Sequence, residues 1–243
     1  MALPARRAVG GRARDNRAMS LPTIPGWTPV VRRAAACAVL SWVALSATAA
    51  DQPDAVTVID ADDVVLDRPQ SEWSQAYLQW VAAFPRSSSP VSDTTGALCA
   101  AKQEGEVWFL ASSDGTAPVE RTCAIPAGKT LFVPVAGVLE RSGNREPDCD
   151  ALARTAARNL QHAGALSMTI DGQPVADLAG HRQSSGGCFA LGVRQVPRQG
   201  AKAAAADGVY VMLRPLPAGA HTIVVQARFD STPLSTTYRL DVR

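Results

Sequence analysis

An apolar stripe over residues 71–84, SEWSQAYLQWVAAF, is the first strong helical signal in the chain. Its bulky side chains recur at i, i+4, i+7, i+8 and i+11 and would share one helix face: Trp73, Tyr77, Trp80, Val81 and Phe84. Ser71 is a suitable N-cap, and Pro85 is expected to end the helix. Such a stripe is usually buried on a sheet, although two tryptophans and a tyrosine could also stack on a ligand.

A second helix is predicted at about residues 150–163, where the sequence is rich in alanine and arginine. Its apolar positions fall on one side: Leu152, Ala156, Leu160 and Ala163. Asp148 or Asp150 could cap this helix, and Gly164 is expected to end it.

Short β-strands account for most of the remaining pattern. Residues 107–110 are apolar throughout, which predicts a strand covered on both faces. After the turn sequence SSDG, residues 119–125 are expected to return beside that strand as a hairpin. Residues 130–135 form a third strand, in which Pro134 suits an edge position or a bulge.

Further short strands with Gly/Pro turns are expected from residue 165 to the end of the chain. Residues 194–208 show no β pattern and are predicted to be a long loop. The whole pattern predicts a mainly β protein, a β-sandwich or jelly-roll-like fold of about eight to ten strands with the two helices at its periphery.

The first fifty residues are predicted to be an N-terminal extension and signal peptide. They hold seven arginines and one acid, and they end in the apolar run AAACAVLSWVALSATAA. Its small residues Ala47, Thr48 and Ala49 suit cleavage after Ala49 or Ala50. The alternative, a membrane anchor, is disfavoured because the run is short and rich in alanine. Residues 51–243 would then be a single exported domain, periplasmic or secreted.

Two details of export stay open. Met19 is an alternative start to Met1, and the pair Arg32-Arg33 is compatible with a twin-arginine route. Loss of the leader also reverses the net charge. The chain has 24 basic and 22 acidic residues, the leader holds 7 and 1, and the remainder therefore has 17 and 21, a net charge of −4. Nucleic acid is consequently not an expected partner.

Four cysteines remain beyond the leader: Cys99, Cys123, Cys149 and Cys188. An even number in an exported chain favours two disulfides, for which three pairings exist. The sequential pairing, Cys99–Cys123 and Cys149–Cys188, is preferred because each pair brackets a compact segment. A zinc site is the less favoured alternative, since the sequence contains no CxxC motif.

Several motifs in this sequence resemble those of a family of uncharacterised exported bacterial proteins. They are W-x6-W-x4-P from Trp73 to Pro85, D-x2-G-x2-C from Asp93 to Cys99, G-x-VWFLA from Gly105 to Ala111, and R-x-C-x-IPAGK-x-LF-x-PV from Arg121 to Val135. The resemblance covers most of residues 70–242. It implies export and a β-rich fold, and it implies no activity and no catalytic residue.

Candidate chemistry is sparse. The acidic stretch Asp60, Asp62, Asp63 and Asp67 lacks the Gly-containing spacing of a calcium loop and is interpreted as a solvated loop. His181 lies near Asp177 and Ser184, but a triad of such close sequence neighbours is unexpected, and no GxSxG motif is present. Carboxylates near the expected hairpin, such as Glu104, Glu106, Asp114 and Glu120, are interpreted as solvated charges.

The leading hypothesis is therefore an exported, non-catalytic binding or interaction module with no metal and no cofactor. A ligand site is predicted around Trp73, Trp80, Trp108, Arg121 and His181, with carbohydrate as the favoured ligand and another envelope protein as an alternative partner. After signal cleavage no membrane contact is expected. The alternatives are a secreted hydrolase acting on a cell-wall or environmental polymer and a structural envelope protein.

Overall fold

The computed structural model describes residues 57–115, 117–143, 148–192 and 203–243. These residues belong to one compact unit, Ala50–Arg243. The predicted leader and its cleavage site lie outside the described residues. Within the described ranges, no helix is both long and apolar enough to cross a membrane.

The described chain forms eleven strands and two α-helices. In chain order they are β1 (Val58–Ile59), α1 (Gln70–Ala82), β2 (Val107–Phe109), β3 (Val119–Ile125), β4 (Thr130–Arg141), α2 (Cys149–Leu160), β5 (Ala163–Ile170), β6 (Gln173–Pro174), β7 (Arg182–Ser184), β8 (Phe189–Ala190), β9 (Ala203–Leu213), β10 (Gly219–Phe229) and β11 (Thr232–Val242). Short 3-10 helices lie at Arg86–Ser88 and Leu178–His181.

Two open sheets pack face to face, so the predicted β-sandwich with two helices is confirmed. One sheet has the order β1-β9-β4-β2, with β7 and β8 also paired to β9, and the other has the order β3-β11-β10-β5-β6. Alternate residues of the central strands fill the space between the sheets, for example Val133, Val211, Ile223 and Tyr238. Burial of this apolar layer is the main force that holds the sheets together.

The prediction that β2 and β3 form a hairpin is wrong. β2 pairs in parallel with β4 in the first sheet, whereas β3 pairs in parallel with β11 in the second. Their burial explains the difference: β2 is covered on both faces, while β3 alternates between buried and exposed residues and has one solvent face. The segment between them therefore crosses from one sheet to the other, a step of about 10 Å.

Helix α1 lies on the outer face of the first sheet, and the interpretation of its aromatic stripe as core is confirmed for Tyr77 and Trp80, whereas Trp73, Val81 and Phe84 are only partly buried. The Tyr77 ring lies 5.3 Å from that of Phe132, and the Trp80 ring lies 5.7 Å from that of Phe109, measured between centroids. The predicted cap is wrong, because the helix begins at Gln70 after Pro69 and has no side-chain cap. Pro at this position needs no amide donor, so a helix can begin there without Ser71 as its cap.

Helix α2 begins as predicted, since the Asp148 side chain accepts a hydrogen bond from the Ala151 amide at 2.8 Å. Its end is earlier than predicted. Leu160 is its last residue, and Gly164 already belongs to β5. Both preferred disulfides are present and confirm the sequential pairing. Cys149–Cys188 ties the first turn of α2 to the segment that precedes β8.

Part of the predicted long loop is a strand. Residues 203–208 open β9, and Ala204, Ala205 and Ala206 are fully or almost fully buried. Alanine has a low β-propensity, so this strand depends on its pairing with β4 and β8 rather than on its own sequence. The rest of the predicted loop lies outside the described residues. The prediction of a bulge at Pro134 is confirmed by the register shift between Pro134 and Ala136.

Candidate functional site

A cleft of about 1270 Å³ opens at the end of the sandwich where β5 and β9 finish and β10 begins. Three segments far apart in sequence form its walls: residues 57–62, the β5–β6 turn with the segment up to His181, and the β9–β10 turn at 217–221. The volume exceeds the 300–1,000 Å³ typical of sites for single small molecules, so an extended ligand would fit.

His181 lies in the cleft wall and is 8 % exposed. Its Nδ1 atom is enclosed by the protein, and no described residue forms a hydrogen bond with it. Buried polar atoms are nearly always hydrogen-bonded, and each exception needs an explanation. Among the described residues, Gln70 Oε1 and Trp108 Nε1 are enclosed without a partner as well, but of these three residues only His181 lines the cleft.

Three carboxylates line the cleft without a partner among the described residues, namely those of Asp60, Asp62 and Asp177. All three residues are exposed. No lysine or arginine is among the described residues that line the cleft. The described lining therefore carries acidic side chains that no basic lining residue offsets.

His221 and Asp171, a fourth carboxylate, form a closed pair at the rim of the cleft. Nδ1 of His221 lies 2.7 Å from Asp171 Oδ2, and Nε2 lies 2.9 Å from the Pro217 carbonyl oxygen. The other oxygen of Asp171 accepts a hydrogen bond from the Thr222 amide at 2.7 Å. These contacts join the β5–β6 turn to the β9–β10 turn, so the two turns hold their shape as one rim.

Side-chain contacts also fix the segment that follows β1. Gln70, which is buried in the first turn of α1, donates to the Asp60 carbonyl oxygen at 2.6 Å. Gln183 of β7 donates to the Ala61 carbonyl oxygen at 2.9 Å. The backbone that carries Asp60 and Asp62 is thereby held against the first sheet, which positions both carboxylates at the cleft.

Asp177 has a left-handed backbone, with φ of 47° and ψ of 44°. A Cβ atom at Gly180 would lie only 2.6 Å from the Asp177 Oδ2 atom. Glycine at 180 therefore leaves the room that this carboxylate occupies. Left-handed conformations cost energy for residues other than glycine, and they are concentrated at functional sites.

The five predicted site residues do not form one site, although Trp80 and Arg121 both line one small cavity of about 10 Å³. Trp80 lies under α1, where its Nε1 donates to the Ala101 carbonyl oxygen at 3.0 Å, and Trp108 lies between the sheets. Trp73 is partly exposed, with the Arg68 guanidinium 4.3 Å from its ring centre and its Nε1 donating to the Val65 carbonyl oxygen at 2.9 Å. Of the five predicted residues, His181 alone lines the cleft. The ligand role of the other four stays a prediction.

Arg121 is buried between the two sheets and the loop before β2, and it is 1 % exposed. Its guanidinium donates to four backbone carbonyl oxygens: those of Val91, Asp93, Ala111 and Ser112. The Tyr238 hydroxyl donates to the same Ala111 oxygen at 2.7 Å. Burial raises the pKa of Tyr238 more than the nearby positive charge of Arg121 lowers it, so the hydroxyl stays protonated. Arg121 of β3 therefore links the second sheet to the loop before β2 and to the residues that follow β2.

The set of Ser184, His181 and Asp177 considered from the sequence is not assembled among the described residues, although His181 and Asp177 both line the cleft. Two of the carboxylates near β2 and β3 form ion pairs with different partners: Glu106 pairs with Lys129, and Glu120 pairs with Arg239. Ser184 does not line the cleft, and no described hydrogen bond joins it to His181. Within the described ranges, no group of three or more His, Cys, Asp or Glu side chains could hold a metal ion.

Comparisons with known proteins give no relative. No family model matches the chain, and no curated protein matches it. Among solved structures, the solution structure of amebosin shares 12 % identity at a TM-score of 0.19 and covers 58 % of this chain and 100 % of its own. The structure of PbICP-C in complex with falcipain-2 shares 11 % identity at a TM-score of 0.27 and covers 57 % of this chain and 100 % of its own. A titin M10–obscurin-like 1 Ig complex shares 14 % identity at a TM-score of 0.18 and covers 51 % of this chain and 86 % of its own. Likenesses this weak carry no argument about this chain.

Proposed function

We propose that this protein is an exported, non-catalytic binding module whose ligand site is the cleft beside His181. The observation that supports this most strongly is the enclosed His181 imidazole, which has a hydrogen-bonding atom without a described partner in the wall of a large cleft. Two disulfides, and the absence of a spanning helix from the described ranges, are compatible with export.

A hydrolase is less well supported. Cleavage by paired carboxyl groups requires one of them to remain protonated as a general acid, and apolar enclosure is the usual means. Asp60, Asp62 and Asp177 converge on the cleft, but each is exposed to solvent. The rigid rim, the fixed segment after β1 and the unused polar groups suit recognition better than bond cleavage.

A thermal-shift screen with a cleft-blocking variant tests this proposal. Ala218 is exposed in the cleft wall, so Ala218→Trp obstructs part of the cleft, whereas Ala124→Trp adds the same bulk to the exposed face of β3 and serves as the control. The panel contains neutral oligosaccharides, amino acids and aliphatic amines. A ligand at about 100 times its Kd raises the Tm by roughly 5–10 °C in a domain of this size.

We expect at least one member of the panel to stabilise the wild type and the Ala124→Trp variant but not the Ala218→Trp variant. Stabilisation that survives in both variants would place the site elsewhere. A panel with no stabilising ligand of any class would count against a binding module.

A further inference from the structure

The lining of the cleft divides into two kinds of surface. The unpaired carboxylates of Asp60, Asp62 and Asp177 supply negative charge at separate positions. The lining also includes aliphatic side chains and prolines, among them Val58, Pro174, Val175, Pro217 and Ala218. Such a surface suits a ligand in which positive groups alternate with short hydrocarbon segments.

The net charge of the cleft follows from its pairings. His221 faces Asp171 at 2.7 Å, and this pair is closed on itself. Asp60, Asp62 and Asp177 then contribute three negative charges, with no lysine or arginine among the described lining residues to offset them.

Aromatic side chains are absent from the described lining, apart from the two histidine rings. A neutral saccharide would therefore have no large ring on which to stack, and no partner for the carboxylate charges. An aliphatic polyamine would place its ammonium groups near the carboxylates and its methylene segments on the apolar wall.

We infer that the cleft binds a linear aliphatic polyamine, and this inference rests on the proposed function of the cleft as a ligand site. Asp60, Asp62 and Asp177 are its charge contacts, and His181, whose Nδ1 atom has no described partner, lies in the same wall. A triamine would occupy more of this open cleft of about 1270 Å³ than a ligand with a single ammonium group would.

Isothermal titration of the disulfide-bonded exported protein with spermidine tests the inference. The variants are Asp60→Asn, Asp62→Asn and Asp177→Asn, each of which removes charge with little change in volume. Asp63→Asn is the matched control, because Asp63 is exposed beside them in sequence but does not line the cleft. Each cleft substitution is expected to weaken binding about two- to fivefold, and all three together more than tenfold.

Higher ionic strength should also weaken spermidine binding, since exposed charges are screened. Three results would overturn the inference: spermidine affinity that the cleft substitutions leave unchanged, equal displacement of spermidine by magnesium chloride, or a lysine tripeptide that binds more tightly than spermidine. The last result would indicate a basic peptide as the ligand.

The same samples separate this inference from the proposed function. If spermidine fails but a neutral oligosaccharide stabilises the wild type and not Ala218→Trp, the polyamine is wrong and the cleft remains a binding site. If neither spermidine nor any other ligand responds to Ala218→Trp, both proposals fail.

Discussion

Replacement of Arg121 by methionine removes a buried guanidinium that four backbone carbonyl oxygens surround. Methionine keeps much of the aliphatic volume but offers no donor. The Ala111 oxygen would retain the Tyr238 hydroxyl as its partner, at 2.7 Å. The oxygens of Val91, Asp93 and Ser112 would lose the donor that holds them at this position.

The size of the effect follows from these three carbonyl groups. An unsatisfied buried acceptor costs about 1–3 kcal/mol, and part of the sum is offset because the guanidinium no longer has to be desolvated. We therefore expect Arg121→Met to lower the free energy of unfolding by about 3–5 kcal/mol. Domains have only about 5–15 kcal/mol in total, so this variant should be close to the limit of folding.

Urea unfolding of the disulfide-intact protein, followed by tryptophan fluorescence, measures this loss. Trp80 and Trp108 are buried and will report the transition. Arg239→Met is the matched control, since Arg239 is an exposed arginine paired with Glu120, and its loss should leave the urea midpoint nearly unchanged. An Arg121→Met variant within 1 kcal/mol of the wild type, or equal to the control, would refute the structural role of Arg121.

Four further predictions concern Asp93, the Cys149–Cys188 disulfide, Gly180 and the cleavage of the leader. Asp93→Ala should cost about 1–2 kcal/mol at pH 7, because the carboxylate accepts hydrogen bonds from the amides of Thr95, Gly96 and Leu98 and from the Thr95 hydroxyl. Burial alone would raise the pKa of Asp93. The hydrogen bonds lower this pKa by more than burial raises it, so the pKa lies below its usual value. The Asp93 carboxylate then stabilises the fold fully above about pH 4, and this contribution is lost as the pH falls through the lowered pKa. Urea midpoints of the wild type and Asp93→Ala at pH 7 and pH 3 measure this. A midpoint difference between the two proteins that does not change with pH would contradict it. The double variant Cys149→Ser, Cys188→Ser should lose about 3–4 kcal/mol, measured in the same assay, and an unchanged midpoint would count against a stabilising bridge. Gly180→Ala should displace the Asp177 carboxylate and weaken spermidine binding about as much as Asp177→Asn does, without a large change in urea midpoint; full affinity would show that the position of this carboxylate is unimportant. The predicted signal peptide would leave a chain that begins at Ala50 or Asp51, which mass spectrometry of protein recovered from the periplasm or the medium measures, and an intact leader would contradict cleavage.

The sequence was sufficient for the elements whose signals are local. The period of Tyr77 and Trp80 predicts a helix buried on a sheet, and the spacing of four cysteines predicts the observed bridges. Pairing partners were not predictable in the same way, because β2 and β3 are neighbours in sequence but belong to different sheets. Strand β9 begins with alanines, and only its neighbours make that segment a strand.

The candidate site illustrates the same limit. His181 could be singled out as a polar residue in a Gly/Ser-rich stretch, but Asp60 and Asp62 looked like a solvated acidic loop. Their approach to His181 depends on Gln183, which reaches the Ala61 carbonyl oxygen from a strand far away in sequence. Arg121 was expected at a ligand, yet a single arginine in an alternating strand gives no sign that backbone carbonyl oxygens will surround it.

The three histidines permit one direct measurement of the central claim, that the cleft is the ligand site. His181 and His221 line the cleft, whereas His162 is exposed beside Asp230 at 2.8 Å and does not line it. Imidazole nitrogen signals of the labelled protein can be followed by NMR during titration with spermidine at constant pH. We predict saturable shifts of the His181 and His221 signals and no shift of the His162 signal. Equal shifts of all three, or a shift of His162 alone, would contradict the assignment of the cleft.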